Sequence, residues 1–134
     1  MHMKANNHKR TFVVIDGIDG SGKGTLVDAL ARWASQKDKK VFDVREHCKR
    51  HTQYPREYAM KDADVFLSCE MTYGHVGRAI REELVRANDR TYSPQSIAQA
   101  FALDRLIHYN NVVIPALERG AYIFQERSFT SSLV

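Results

Sequence analysis

An α/β fold built on a parallel sheet is what this sequence predicts, and three observations predict it. A β-prone apolar run, Thr11-Phe12-Val13-Val14-Ile15, leads straight into a glycine-rich turn and then a helical pattern. Further apolar runs alternate with helical periods as far as Ala121-Tyr122-Ile123-Phe124-Gln125. Sharp start and stop signals, Ser93-Pro94 and Gly120, bound the last long helical stretch before that final run. Strands separated by helices require crossover connections, which place the strands in parallel.

Taken in order, the first strand is expected at about 11–16 and the first helix at about 23–37, where Leu26, Ala29, Leu30, Trp33 and Ala34 recur at spacings of three and four. A second strand is expected at about 40–45 around Val41, Phe42 and Val44, and a third at Val65-Phe66-Leu67-Ser68-Cys69. Residues 46–63 show no clean period, and Pro55 argues against a strand. They read as a lid-like insertion or a short helix. From Gly74 a helical face of Val76, Ile80 and Leu84 runs to about Asn88. The next helix starts with Ser93 as N-cap and Pro94 at the first helical position, and runs to about Glu118.

Composition narrows the class. A chain of 134 residues with 43% hydrophobic and 27% charged side chains is ordinary for one soluble globular domain. No apolar stretch approaches the roughly 20 residues of a membrane span, so no membrane partner is expected. Residues 1–10 are polar and basic with no apolar core behind them, resembling neither a secretory signal nor an anchor, and read as a flexible tail before a core at 11–134. Cys48 and Cys69 stand apart, which suits free thiols in a reducing cytoplasm. Glu46, His47, Cys48 and His51 are close in sequence but match no closed zinc spacing. The net charge of +4 is small and scattered, so nucleic acid is not an expected partner.

The chemistry concentrates in residues 17–25, Gly-Ile-Asp-Gly-Ser-Gly-Lys-Gly-Thr. A polyphosphate needs several backbone N–H groups aimed at it, so the chain must curl around the anion, and Gly17, Gly20 and Gly22 permit that curl. Ser21, Gly24 and Thr25 add further main-chain donors, and Lys23 supplies a mobile cation for the outer phosphates. Gly17, Gly22 and Lys23 satisfy G-x-x-x-x-G-K, while the usual Ser or Thr after the lysine is Gly24, with the hydroxyl displaced to Thr25. The alternative is a mobile turn, but a strand before and a helix after favour the cradle. A second pattern lies at Phe101, Asp104, Arg105 and His108, which share one side of the predicted helix. It reads either as an amphipathic surface with internal Asp104–Arg105 or Asp104–His108 pairing, or as a base-recognition face. In the second case Phe101 stacks and Arg105 donates hydrogen bonds, each contributing about 1–3 kcal/mol.

Together these stretches resemble the thymidylate kinases, nucleoside monophosphate kinases of the P-loop class. The match comprises Phe12 through Thr25, Glu70 through Glu82, Phe101-Ala-Leu-Asp-Arg105, Pro115 through Gly120, and Glu126-Arg-Ser128. The resemblance implies a P-loop NTPase fold, a three-layer α/β/α sandwich with a parallel sheet, incomplete at the C-terminus because family members continue well beyond this point. It implies transfer of the ATP γ-phosphoryl to thymidine monophosphate (dTMP), with magnesium held by Thr25 or through water, and a homodimer. By it Lys23, Asp19 and Arg127 are catalytic. Asp19 faces the acceptor sugar, Glu70 borders the acceptor pocket, Phe101 stacks on thymine, Arg105 contacts the base, and Arg127 holds the acceptor phosphate. Members without an arginine in the glycine loop carry catalytic arginines in a lid that this chain does not reach. Departures are Gly24, the Glu126 and Ser128 of an Asp-Arg-Tyr triplet, Met71-Thr72-Tyr73 in place of a Pro-Gly-Gly turn, and a competing Arg45-Glu46 pair. They leave open another monophosphate as acceptor, or a nucleotide-binding module without catalysis.

Overall fold

The structure is a computed structural model that describes residues 11–17 and 20–127. The expected tail at 1–10, together with Asp19 and Ser128, lies outside those residues. Four strands form one sheet in the order β1, β4, β3, β2, every pair parallel. They are β1 (Thr11–Asp16), β2 (Val41–Asp43), β3 (Val65–Glu70) and β4 (Tyr122–Arg127).

Alternation along β3 and β4 divides the core in two. Val65, Leu67 and Phe124 pack on one face with Val27 and Ala34 of helix α1 (Lys23–Gln36). Phe66 and Ile123 pack on the other with Val44 and Cys48 of α2 (Val44–His51), Met60 of α3 (Glu57–Met60) and Ala116 of α6 (Ile114–Glu118). That is a helix–sheet–helix sandwich, as predicted. A smaller cluster of Met71, Ile80 and Phe101 joins α4 (His75–Ala79) to α5 (Pro94–His108).

The expected boundaries need three corrections. The second strand stops at Asp43 because its carboxylate caps the next helix, accepting from Arg45 N at 3.0 Å and Glu46 N at 3.2 Å. Residues 44–51 are therefore helix α2, and the segment 46–63, expected as a lid-like insertion or a short helix, holds the rest of α2 and the short helix α3. The helix from residue 74 is shorter than expected: α4 passes into a π turn, Ile80–Leu84, and Asn88 instead accepts from Arg90 N in a local turn at 2.8 Å. The last long helix is not continuous either. It widens into a π turn at Tyr109–Val113 before Pro115, whose ring clashes with the carbonyl four residues back and whose nitrogen has no hydrogen to donate. Its ends are as read. Ser93 Oγ accepts from Ser96 N at 3.1 Å, and the helix closes at Gly120.

Candidate active site

The glycine loop leaves β1 at its carboxyl end and enters α1. Gly20 and Gly22 have φ of 81° and 91°, a left-handed backbone, while nothing among the described residues lies within 4 Å of where their Cβ atoms would stand. Glycine is needed there for backbone direction and not for room. Lys23 is buried, and its Nζ reaches back across the loop to donate to the Gly17 carbonyl at 2.7 Å. The loop is thereby closed into a ring. Gly17 N donates to Asp16 Oδ1 at 2.8 Å, which fixes the exit from β1. Gly22 caps α1 without a side-chain bond, so the amides of the first helical turn, Lys23 to Thr25, stay directed at the loop. Ser21 and Thr25 are exposed, and Gly24 is half-buried.

Glu126, at the end of β4, brings its Oε2 to 3.9 Å from the Cβ position of Gly24. Arg45 steadies that region. Its guanidinium pairs with Asp28 and Asp43 at 3.0 Å and with Glu126 at 3.7 Å; burial works to lower its pKa, and the Asp43 and Asp28 carboxylates outweigh that and raise it. The Thr25 hydroxyl and the carboxylates of Glu126 and Asp16 are hard oxygen donors of the kind magnesium takes. Cys48, by contrast, packs in the core, where burial pushes its thiol up to about 12, so it does not join the neighbouring histidines. Both cysteines are free and buried.

Beside the loop stands a second constellation. Glu70 is 2% exposed at the end of β3, directly in register with Arg127 of β4, which is in turn in register with Asp16 of β1. Arg105 of α5 pairs with Glu70 Oε1, and Arg127 Nε lies 3.5 Å from Glu70 Oε2. Arg127 Nε is shielded yet makes no hydrogen bond among the described residues. A carboxylate on a dry sheet needs partners of opposite charge, and the two arginines provide them. They retain 48% and 31% exposure, so both still face a prospective ligand.

The predicted helical stripe divides. Phe101 is 7% exposed and packs with Met71 and Ile80, so its ring is a wall with little free surface. Neither internal pairing read from the sequence forms the pattern. Asp104 accepts from Tyr54 Oη at 2.7 Å, Thr72 N at 2.8 Å and Thr72 Oγ1 at 2.7 Å, Arg105 turns to Glu70, and His108 turns to Gln125. Tyr54, from the segment that showed no period, thus pins the loop after β3. No sequence pattern marks it, because a lone tyrosine beside a proline has no period. Of the competing pairs, Glu70 stands between the two arginines, while Glu46 is exposed on α2 beside Lys49 at 3.5 Å.

A parallel α/β/α sandwich with a closed glycine loop between its first strand and first helix defines the P-loop NTPase class. No family model matches the chain. Its similarity is to thymidylate kinases: a probable thymidylate kinase of Pyrococcus abyssi is 33% identical over 125 residues, covering 91% of this chain and 49% of that protein. The thymidylate kinase of a Synechococcus strain is 31% identical over 124 residues, covering 91% and 50%. The crystal structure of thymidylate kinase from Ehrlichia chaffeensis superimposes with a TM-score of 0.60 at 20% identity, covering 93% of this chain and 55% of the other, a likeness of fold. The chain spans about half the length of the curated relatives it matches. No helix among the described residues is long and apolar enough to cross a membrane.

Proposed function

We propose that this chain carries the phosphate-gripping half of a kinase that moves the γ-phosphoryl of ATP to thymidine monophosphate in the synthesis of DNA precursors. One observation carries the reading: the closed glycine loop and the Glu70–Arg105–Arg127 group stand at the carboxyl ends of neighbouring strands, linked by the Asp16↔Arg127 and Glu70↔Arg127 register. Adjacent strands lie about 4.8 Å apart. Two anion grips at that spacing suit a reaction in which two phosphates must be brought in line.

On this reading the amides of Gly20 to Thr25 hold the β-phosphate of the donor, and Lys23 faces the outer phosphates from across the loop. Thr25 would hold magnesium, and the Glu126 carboxylate, with its Oε2 3.9 Å from the Cβ position of Gly24, is a further oxygen close to the same turn. The metal neutralises charge on the donor phosphates when bound. Arg127, whose side chain is 31% exposed, takes the acceptor phosphate, Arg105 the base edge, and Phe101 the flat wall against it. Asp19 faces the sugar. Transfer then needs no covalent intermediate, only alignment and charge stabilisation. Homodimerisation and a cytoplasmic setting accompany the same reading.

Calorimetry with ATP and with thymidine monophosphate tests it. Binding of both supports the kinase. Binding of ATP alone points to a nucleotide switch without acceptor chemistry, and a phosphoryl-transfer assay over other monophosphates, run on a chain of the relatives' full length, identifies a different acceptor.

A further inference from the structure

The Glu70 carboxylate is held from behind as well as by the arginines in front. Gln125 Nε2 donates to Glu70 Oε2 at 3.0 Å. The Gln125 carbonyl oxygen accepts from Ser68 Oγ at 2.8 Å and pairs with His108 Nε2 at 2.8 Å. A carboxylate only accepts, so the amide has one permitted orientation, with its NH₂ on Glu70 and its oxygen on Ser68 and His108. That assigns the Nε2–H tautomer to His108, whose pKa burial holds below the ordinary imidazole value. Its Nδ1 then has a buried lone pair with no hydrogen-bond partner among the described residues.

Ser68, Gln125 and His108 are all fully buried. Three polar side chains on a buried sheet face are costly unless each hydrogen bond is returned, and apolar residues would fill the space without that demand. What the trio returns is a fixed carboxylate. Ser68↔Gln125 and Glu70↔Arg127 are successive register pairs on the same face, so the sheet itself sets the spacing of the relay.

We propose that Gln125, locked by Ser68 and His108, is a positioning residue for the acceptor side: it sets the rotation of the Glu70 carboxylate and, through it, the directions of Arg105 and Arg127. This rests on the kinase reading for the identity of the ligand, but not for the relay.

The test uses Gln125→Met and Gln125→Glu, read by calorimetry with thymidine monophosphate and with ATP, and by the arginine Nε–Hε resonances of the ligand-free protein. Gln125→Met is expected to weaken thymidine monophosphate binding by at least about tenfold, with ATP binding changed by less than about twofold, and to shift the Arg105 and Arg127 resonances. Gln125→Glu is expected to do the same at about pH 8 and to recover towards wild type at about pH 5.5, because the protonated carboxyl donates to Glu70 as the amide does. The charged and titratable groups bonded to that position are Glu70 on β3, itself paired with Arg127 on β4 and Arg105 on α5, and His108 on α5, on which Asp104 of the same helix acts. A neutral methionine shows no such recovery, which separates positioning from loss of packing. Unshifted arginine resonances in Gln125→Met, or equal weakening of both nucleotides alongside a lowered melting temperature, overturn the proposal. If the wild type binds ATP but no thymidine monophosphate, the kinase reading falls, and the arginine resonances still decide the relay. Should Gln125→Glu not fold, Gln125→Met carries the test.

Discussion

The corner proposed for the phosphate donor and the corner proposed for the acceptor sit on neighbouring strands but are specified in opposite ways. That first corner is local: its described residues, Gly17 and Gly20 to Thr25, are near neighbours in sequence, mostly exposed, and shaped by left-handed glycines and the Lys23–Gly17 hydrogen bond. The acceptor corner is assembled from a distance, with Arg105 meeting Glu70 across 35 residues of sequence and Gln125 meeting it across 55. Its shape depends on register and on buried hydrogen bonds. A local site tolerates changes elsewhere in the fold, whereas a tertiary one is sensitive to any side chain in its relay.

The largest expected effect breaks the donor corner alone. Lys23→Met keeps the stem that lies across the loop and removes the ammonium, and should weaken ATP binding by about 100-fold, equivalent to about 2.8 kcal/mol. The melting temperature should fall far less than the affinity, although Lys23 Nζ also closes the loop on the Gly17 carbonyl. Calorimetry and thermal melting measured together check this, and unchanged ATP affinity would remove Lys23 from the site. Glu70→Ala is the acceptor counterpart. Removing one partner of a buried ion pair typically costs about 3–5 kcal/mol, here reduced towards the lower end because both arginines can turn to water. Chemical denaturation should show that loss together with weaker thymidine monophosphate binding, while ATP binding is spared. Equal loss of both nucleotides would mean that the two corners are not separable.

The same contrast explains what the sequence reveals. The glycine loop, α1 and the capped start of α5 are legible because each is set by residues a few positions apart: Gly22 beside Lys23, Ser93 three residues before Ser96. Arg105 is picked out by helical spacing, but Glu70 and Arg127 are found only through a family resemblance, since nothing in periodicity says that three distant positions meet. Gln125 and Ser68 are hidden further, because within β-prone runs they read as ordinary strand residues. Asp104 and His108 mislead for a physical reason. Helical spacing of three and four shows which side chains share a face, and says nothing of partners supplied by other elements, here Tyr54, Thr72 and Gln125. The end of β2 illustrates a conflict between local rules, as Val44 favours a strand while the Asp43 cap begins a helix and prevails.

Tyr54→Phe probes the link between the two corners' surroundings and the inserted segment. The hydroxyl donates to Asp104 and accepts from Val76 N at 3.3 Å, and burial together with the Asp104 carboxylate raises the phenol's pKa, so it stays protonated as a donor. Asp104 keeps its two bonds from Thr72, so the loss should be about 1.5 kcal/mol, near the lower bound for hydrogen bonds to a charged group. Thermal melting measures it. Backbone amide exchange should rise at residues 71–76 and not at 20–25; a rise at both would contradict the independence of the donor loop.

The smallest effect concerns the one position where the glycine loop departs from its usual pattern. Gly24 lies in the first turn of α1 without a left-handed φ, and among the described residues a Cβ there would meet only Glu126 Oε2 at an ordinary 3.9 Å. Neither backbone nor space demands glycine at this point, unlike at Gly20 and Gly22. Gly24→Ser should therefore raise stability slightly, by about 0.5 kcal/mol, since serine orders more readily in a helix than glycine. Its hydroxyl would also stand beside the Glu126 carboxylate, adding an oxygen donor where magnesium is proposed, so ATP titrated at several magnesium concentrations should show half-maximal binding at lower metal. A destabilisation greater than about 1 kcal/mol would show instead that Glu126, held by Arg45, already fills the space, and that the missing hydroxyl is a consequence of how β4 ends.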